Sequence, residues 1–197
     1  ILTQGNHHRN LGVPGEEKFL GRGLSVCATC DGPLYKGKKV AVVGGGNAGV
    51  QTAIEMSRIA LSVSLIARGA VRADSVYSEK LGGIQNITVH TDTQVTAFHG
   101  DTFLSGITIC DANGAEQQIA IDGLFVDTGW VPNTEMVEGL LDLNERKEII
   151  VDINGRTSIP GIFAAGDVTN AKSKQIIIAA GEGAKAALEA FGYLAGQ

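Results

Sequence analysis

At 197 residues the chain can bury a real core, as one large domain or two small ones. A 44% hydrophobic share reads as globular, while a net charge of −5 and the lack of a polybasic run argue against nucleic-acid binding and against a hold on anionic membranes. No apolar stretch reaches transmembrane length, and three cysteines are too few for a secreted disulfide scaffold, so the cytoplasm is the expected compartment.

The chain starts without an initiating Met, inside an apparent strand end before Gly5, as expected of a piece of something longer. Residues 1–21 carry Gly5, Gly12, Pro14 and Gly15, with charge at Glu16, Glu17 and Lys18. They read as a strand end, a turn and an exposed connector, and a domain boundary is placed there. Cys27-Ala-Thr-Cys30-Asp31 follows. Two residues between cysteines let the thiols close a small disulfide, or let one be held as thiolate, so that the pair accepts and passes two electrons. The competing use is half of a zinc site, for which Cys110, His7, His8, His90 and His99 stand at no ligand spacing.

Lys39-Val-Ala-Val-Val43 is an apolar, branched run suited to a buried parallel strand. Gly44-Gly45-Gly46-Asn47-Ala48-Gly49 follows at once, and a helix is predicted from Val50 to Ala60. In this layout Gly44 allows the tight turn, Gly46 lets backbone N–H groups approach a pyrophosphate, and Gly49 lets the helix pack closely on the strand.

Ser62–Ile66, a helix over Asp74–Leu81 and Ile87–His90 continue a strand and helix alternation expected of a doubly wound parallel sheet. Gln94–Phe98, Leu104–Cys110 and Gln117–Ile121 are separated by short turns and predict an antiparallel meander. Cys110 is expected to be a buried small hydrophobe. A closing strand over Leu124–Asp127, a linker at Gly129–Thr134, short strands at Glu148–Asp152 and Pro160–Ala165, and a helix over Gln175–Leu194 complete the chain. One side of that helix is small, with Ala179, Ala180, Gly181, Gly183, Ala184, Ala186 and Ala187. It suits either close packing or an N-terminal turn lying against a flat cofactor.

Cys27-Ala-Thr-Cys30-Asp31-Gly32, the glycine loop, Gly129-x-x-Pro132-Asn133-Thr134 and Ala164-Ala165-Gly166-Asp167-Val168 together resemble the low-molecular-weight thioredoxin reductases. Val13-Pro14-Gly15-Glu16, Asp31-Gly-Pro-Leu-x-Lys36-Gly-Lys and the run from Lys174-Gln175 to Lys185 resemble the alkyl hydroperoxide reductase flavoproteins within that family. The likeness covers essentially the whole chain. It implies an α/β fold in which a Rossmann-like NAD(P)-binding domain, residues 22–130, is inserted in an FAD-binding domain. Residues 1–21 would be the tail of the first FAD half with a linker, and 131–197 the second half.

The resemblance further implies a flavin-dependent disulfide reductase that takes NAD(P)H electrons through FAD to Cys27/Cys30. A thioredoxin-like domain, in cis or in trans, or a peroxiredoxin partner would receive them, and the full-length protein would be a homodimer. Cys30 would face the flavin, Cys27 would attack the partner, and Asp31 would manage the proton. A carboxyl beside the cysteines can protonate a leaving thiolate if burial has raised its pKa, although a turn before Gly32-Pro33 is the plainer use of Asp31. Gly166 and Asp167 would meet the FAD ribityl chain. Lys174, Gln175, Ile176 and Ile177 would lie near the isoalloxazine, with Asn133 a weaker carry-over because Pro-Asn-Thr also starts helices.

The nicotinamide choice falls at the end of the second strand, where an acid reads the ribose hydroxyls and arginines read a 2′-phosphate. Here Ala67-Arg68-Gly69 and Arg72 stand without an acid. NADH and NADPH stay open, charge alone favouring NADPH, and exposed loop arginines are also commonly just solvated. The rival function is an isolated, non-catalytic NAD(P)-binding module, because the first FAD half with its own glycine fingerprint is absent from this sequence.

Overall fold

The computed structural model describes residues 1–196; Gln197, the last residue of the expected C-terminal half, lies outside them. The chain divides into two compact units, one of residues 1–9 with 130 onward and one of residues 10–129.

The continuous unit is built on a five-stranded parallel sheet. Its strands are β2 (Leu24–Ser25), β3 (Lys39–Val43), β4 (Ser62–Ile66), β5 (Ile87–His90) and β9 (Gly123–Val126), in the order β2-β9-β3-β4-β5. Parallel neighbours need a crossover, and α3 (Asn47–Ser57) and α4 (Ser75–Gly82) supply those after β3 and β4. Each strand of the β3/β4 register, from Lys39↔Ser62 to Val43↔Ile66, coincides with an apolar run read in the sequence. A strand buried on both faces is apolar throughout, and Val40, Ala41, Val42 and Val43 are all buried.

A meander of β6 (Thr93–Gly100), β7 (Leu104–Asp111) and β8 (Glu116–Ala120) forms the expected antiparallel sheet. Two cores follow from the alternation of side chains. Ala41, Val43, Leu124 and Val126 pack with Ile107 and Ile109 of the meander, whereas Val40, Val42 and Phe125 pack with Val50, Ala53 and Met56 of α3.

Several boundaries differ from the sequence reading. The helix after the glycine loop starts at Asn47, three residues earlier than Val50, because Gly46 is its N-cap and the Gly46 carbonyl accepts from Val50 N. Residues 10–21 are exposed at most positions, as expected of a connector, yet they are anchored to the continuous unit. Phe19 is buried, Leu11 and Val13 pack on the meander core, and the buried Glu16 carboxylate accepts from Leu11 N and Gly12 N at 3.0 and 3.1 Å. The division therefore falls at Arg9/Asn10 rather than near Gly21. Cys110 is only partly buried rather than a core residue, because it stands at the end of its strand, beyond the buried Gly106–Ile109.

In the discontinuous unit, β1 (Asn6–His8) pairs antiparallel with β10 (Trp130–Pro132), so the expected linker at Gly129–Thr134 contains a strand. The short strands expected at 148–152 and 160–165 are isolated bridges instead: Ile149 to Leu143 and Thr169, Phe163 to Arg156, and Ala164 to Leu2. Helix α5 (Ile176–Ala195) lies within a residue of its prediction. Its small side packs closely: Ala186 is fully buried, and a Cβ at Gly155 or Gly166 would stand 3.3 Å from the Ala186 or Ala179 methyl. No helix among the described residues is long and apolar enough to cross a membrane.

Candidate redox and nucleotide sites

The two motifs that head the sequence reading lie in one unit, on the carboxyl ends of its parallel strands. Strand β2 delivers Cys27, which is the N-cap of α2 (Ala28–Asp31) in an extended conformation. That one-turn helix brings Cys30 back to Cys27, and the two sulfurs are bonded with Cα atoms 5.3 Å apart. Cys27 Sγ also accepts from Cys30 N at 3.2 Å, Cys27 being half-buried and Cys30 exposed. The α2 turn is pressed onto α3: a Cβ at Gly32 would stand 3.1 Å from Met56 Sδ. This is why Gly32 follows the motif.

Asp31 does not point freely into solvent. Its Oδ2 accepts from Ser25 Oγ at 2.7 Å, and the same hydroxyl accepts from Cys27 N at 3.1 Å. Ser25 is buried at 5% exposure. Nothing in the local sequence marks it, because a serine two residues before a cysteine is unremarkable until the strand turns it inward.

The glycine loop has the geometry its spacing requires. Gly44 has φ +153°, and a Cβ there would sit 2.5 Å from the Asp127 carbonyl oxygen. A Cβ at Gly49 would sit 2.2 Å from the Gly44 carbonyl oxygen, so helix and strand meet at a separation only glycine permits. Gly46 differs: nothing lies within 4 Å of its Cβ position, and Gly46, Asn47 and Ala48 are exposed at the start of α3. An open cradle at a helix N-terminus fits a diphosphate, through backbone N–H groups and the partial positive charge of the helix. The neighbouring loop is tied to it: Arg72 N donates to Gly45 O at 2.7 Å, Asp74 N to Asn47 Oδ1 at 2.8 Å and Asn47 Nδ2 to Asp74 Oδ2 at 2.9 Å. Arg68 and Arg72 are exposed on this loop. The side chain of Asn47 is thus engaged inside the protein, and Gly45 packs against the Ala67 methyl.

The sheet order places this loop where the winding reverses, between β3 and β9, which is where open α/β sheets bind ligands. Asp127 stands there, just beyond β9. Burial pushes its carboxyl above the usual range; the Thr52 hydroxyl pulls it down, and the Glu55 charge pushes it up further. The sequence reading used Asp127 only as the end of a strand.

In the other unit Gly166 has φ +80°, and its N–H donates to Glu182 Oε2 at 2.9 Å. The Asp167 carboxylate is half-buried with no hydrogen-bond partner among the described residues, which leaves it available to a hydroxyl-bearing ligand. Lys174 faces inward. Its Nζ pairs with Glu148 Oε1 at 3.0 Å and donates to the carbonyls of Asp167 and Thr169. Asn133 is also engaged, its Nδ2 donating to Gln4 O and its Oδ1 meeting His7 Nδ1 at 2.7 Å. Gln175 is exposed, and Ile176 and Ile177 are 91% and 80% exposed on the first turn of α5.

The family profile described as pyridine nucleotide-disulphide oxidoreductase matches residues 1–183. An alkyl hydroperoxide reductase subunit from Pseudomonas putida is 48% identical over 197 residues, 98% of this chain and 38% of that protein. A protein named NADH dehydrogenase from Ferdinandcohnia aciditolerans is 46% identical over 196 residues, with the same two coverages. The crystal structure of thioredoxin reductase from Streptococcus pyogenes aligns with a TM-score of 0.93 and 35% identity, over 99% of this chain and 65% of that one. The chain therefore spans about two fifths of the length of these curated relatives. A disulfide-bonded cysteine pair and a glycine-rich strand-to-helix loop on one sheet, together with these matches, lead to one conclusion: the chain belongs to the pyridine nucleotide-disulphide oxidoreductase family.

Proposed function

We propose that the protein to which this chain belongs is a flavin-dependent disulfide reductase of the alkyl hydroperoxide reductase flavoprotein and thioredoxin reductase type. The observation that carries this reading is the Cys27–Cys30 disulfide in the same unit as the Gly44–Gly49 cradle. When bound, NAD(P)H and FAD would together supply one hydride's electron pair, which is what reduction of one disulfide takes.

The chain's own residues do the rest. Backbone N–H groups at Gly46–Ala48 bind the nicotinamide dinucleotide's diphosphate, and Arg68 and Arg72 read a 2′-phosphate, which favours NADPH over NADH. The name of the Ferdinandcohnia relative favours the opposite choice, and the missing acid at Ala67-Arg68 is the reason for preferring NADPH here. Gly166 and Asp167 would hold the FAD ribityl chain, and Gln175, Ile176 and Ile177 would form the surface for its ring. Lys174 and Asn133 serve that site by holding the backbone around it. The cysteines store two electrons as a dithiol, Cys27 attacks a partner disulfide, and Asp31 handles the proton. The partner is a thioredoxin-like domain or a peroxiredoxin, reached in the cytoplasm, and the full-length protein is a homodimer.

The first test is a count of reactive thiols in the denatured chain, as isolated and after reduction and removal of the reductant. A gain of two that Cys27→Ser abolishes supports the reading. If all three cysteines stay free after exposure to oxidised thioredoxin, the chain is a nucleotide-binding module without this chemistry.

A further inference from the structure

Among the described residues, the buried Ser25 hydroxyl bonds both to the Asp31 carboxylate and to the Cys27 backbone. We propose that Ser25 is the positioning residue of the disulfide site, holding the Asp31 carboxylate and the Cys27 backbone on one hydroxyl. The inference rests on the disulfide-reductase reading above.

Ser25 Oγ donates its single proton to Asp31 Oδ2 at 2.7 Å and receives the Cys27 N–H at 3.1 Å. A hydroxyl has one donor and two acceptor positions, so it can serve both contacts at once; the Cys27 carbonyl, at 3.4 Å, is the longer alternative for its one proton, and the carboxylate at 2.7 Å is the shorter and charged acceptor. It lies at 5% exposure on β2, whose pairing with β9 (Ser25↔Phe125) fixes the backbone beneath it. The α2 turn then has little choice. Asp31 N donates to Cys27 O at 3.0 Å, and the Asp31 side chain returns past the turn to Ser25, so the half-buried carboxylate is held on the hydroxyl that also takes the Cys27 N–H.

The consequence lies in the proton. A reducing thiolate attacks one sulfur of the disulfide; a new S–S bond forms, the Cys27–Cys30 bond breaks, and its electron pair goes to the other sulfur. Attack at the exposed Cys30 releases Cys27, whose sulfur already accepts from Cys30 N. The released thiolate then takes up one proton, which the Asp31 carboxyl can carry on the oxygen that Ser25 does not hold, hand to the sulfur and regain from water. Without Ser25 the carboxylate loses the hydroxyl that holds it in place and is free to rotate away.

The experiment uses dithiothreitol as reductant on the whole chain. The rate of disulfide cleavage, read by alkylation and mass spectrometry, is measured from about pH 5 to about pH 9 and corrected for the reductant's own ionisation. Wild type is compared with Ser25→Ala, Ser25→Thr and Asp31→Asn. The expected result is a loss of about tenfold in Ser25→Ala, part of the usual contribution of a placed acid, with a pH profile coinciding with that of Asp31→Asn. Ser25→Thr, which keeps the hydroxyl, retains the wild-type profile. A cleavable disulfide whose pH profile is unchanged by Ser25→Ala overturns the assignment of Ser25 alone, as does a loss equal at every pH. Wild type without a cleavable disulfide overturns the disulfide-reductase reading and the assignment with it. Should Ser25→Ala not fold, Ser25→Thr against Ser25→Val makes the same comparison at equal volume.

Discussion

The two compact units use glycine for the same purpose and hold themselves together by different means. In the continuous unit every strand of the parallel sheet is paired over two to five residues, and apolar cores cover both faces. In the discontinuous unit the backbone beyond β1 and β10 meets in single bridges around smaller apolar cores, such as Val137, Leu141, Ile149, Ala164 and Val168, and polar contacts pin the loops: the largely buried Lys174–Glu148 pair and the Glu182 carboxylate on Gly166 N. A ladder spreads the cost of one lost contact over its neighbours. A loop pinned by a buried charge concentrates that cost, so the second unit is expected to be the more fragile to single substitutions and the first the more fragile to added volume.

Lys174→Met tests this contrast most severely. It leaves Glu148 charged and largely buried, at a cost of about 3–5 kcal/mol. Hydrogen exchange should show the loss around residues 148–170 while protection of β3 and β4 persists. The double variant with Glu148→Leu should recover most of it, and failure to recover would mean that the pair is no focus of stability.

Next is Gly49→Ala, whose methyl would stand 2.2 Å from the Gly44 carbonyl oxygen. Crowding there should cost about 3 kcal/mol in thermal or denaturant unfolding and remove nucleotide binding. Gly46→Ala has open space, so it should leave stability within about 0.5 kcal/mol while weakening dinucleotide binding, measured by calorimetry. Equal stability losses at the two positions would refute the division of labour within the loop.

Smaller again is the effect of Arg68→Ala or Arg72→Ala. Each should lower affinity for NADPH about tenfold, near 1.4 kcal/mol, and leave NADH binding unchanged. Equal losses for both nucleotides would assign the arginines to the diphosphate or to general charge.

The smallest effect is a pH slope. Burial raises Asp127 in the folded chain, so the folded state binds that proton more tightly than the unfolded chain does. Stability is then greatest below the unfolded carboxylate range and falls as pH rises through the raised folded value. Asp127→Asn should flatten that slope in denaturant titrations at several pH values; an unaltered slope would place the effect on another group.

Much of the first unit was legible in the sequence because its signals are local. A buried parallel strand is an apolar run, a dinucleotide loop is three glycines at set spacing, and a two-cysteine motif contains its own partner. The small side of α5 was legible too, although only the packing of Ala179 and Ala186 on Gly166 and Gly155 shows what it accommodates. Where the reading failed, the deciding contact was distant. The strands expected at 148–152 and 160–165 have apolar, branched residues, yet their partners (Leu143, Thr169, Arg156 and Leu2) lie in segments whose direction local sequence does not reveal. Glu16 looks like exposed charge until the turn at Gly12 and Gly15 brings two backbone N–H groups to its carboxylate.

The residues alone specify the groups available: a thiol pair, a glycine-rich loop between strand and helix, an α/β alternation and a loop with arginines in place of an acid. How that chemistry is held depends on tertiary structure. Ser25 becomes part of the disulfide site because β2 turns it inward beneath α2, Asp127 is pushed upward because β9 ends where α3 begins, and Lys174 is engaged by Glu148 and two carbonyls rather than left for a ligand. Side-chain type fixes what a group can donate or accept, but burial and the direction of the neighbouring backbone fix what it meets.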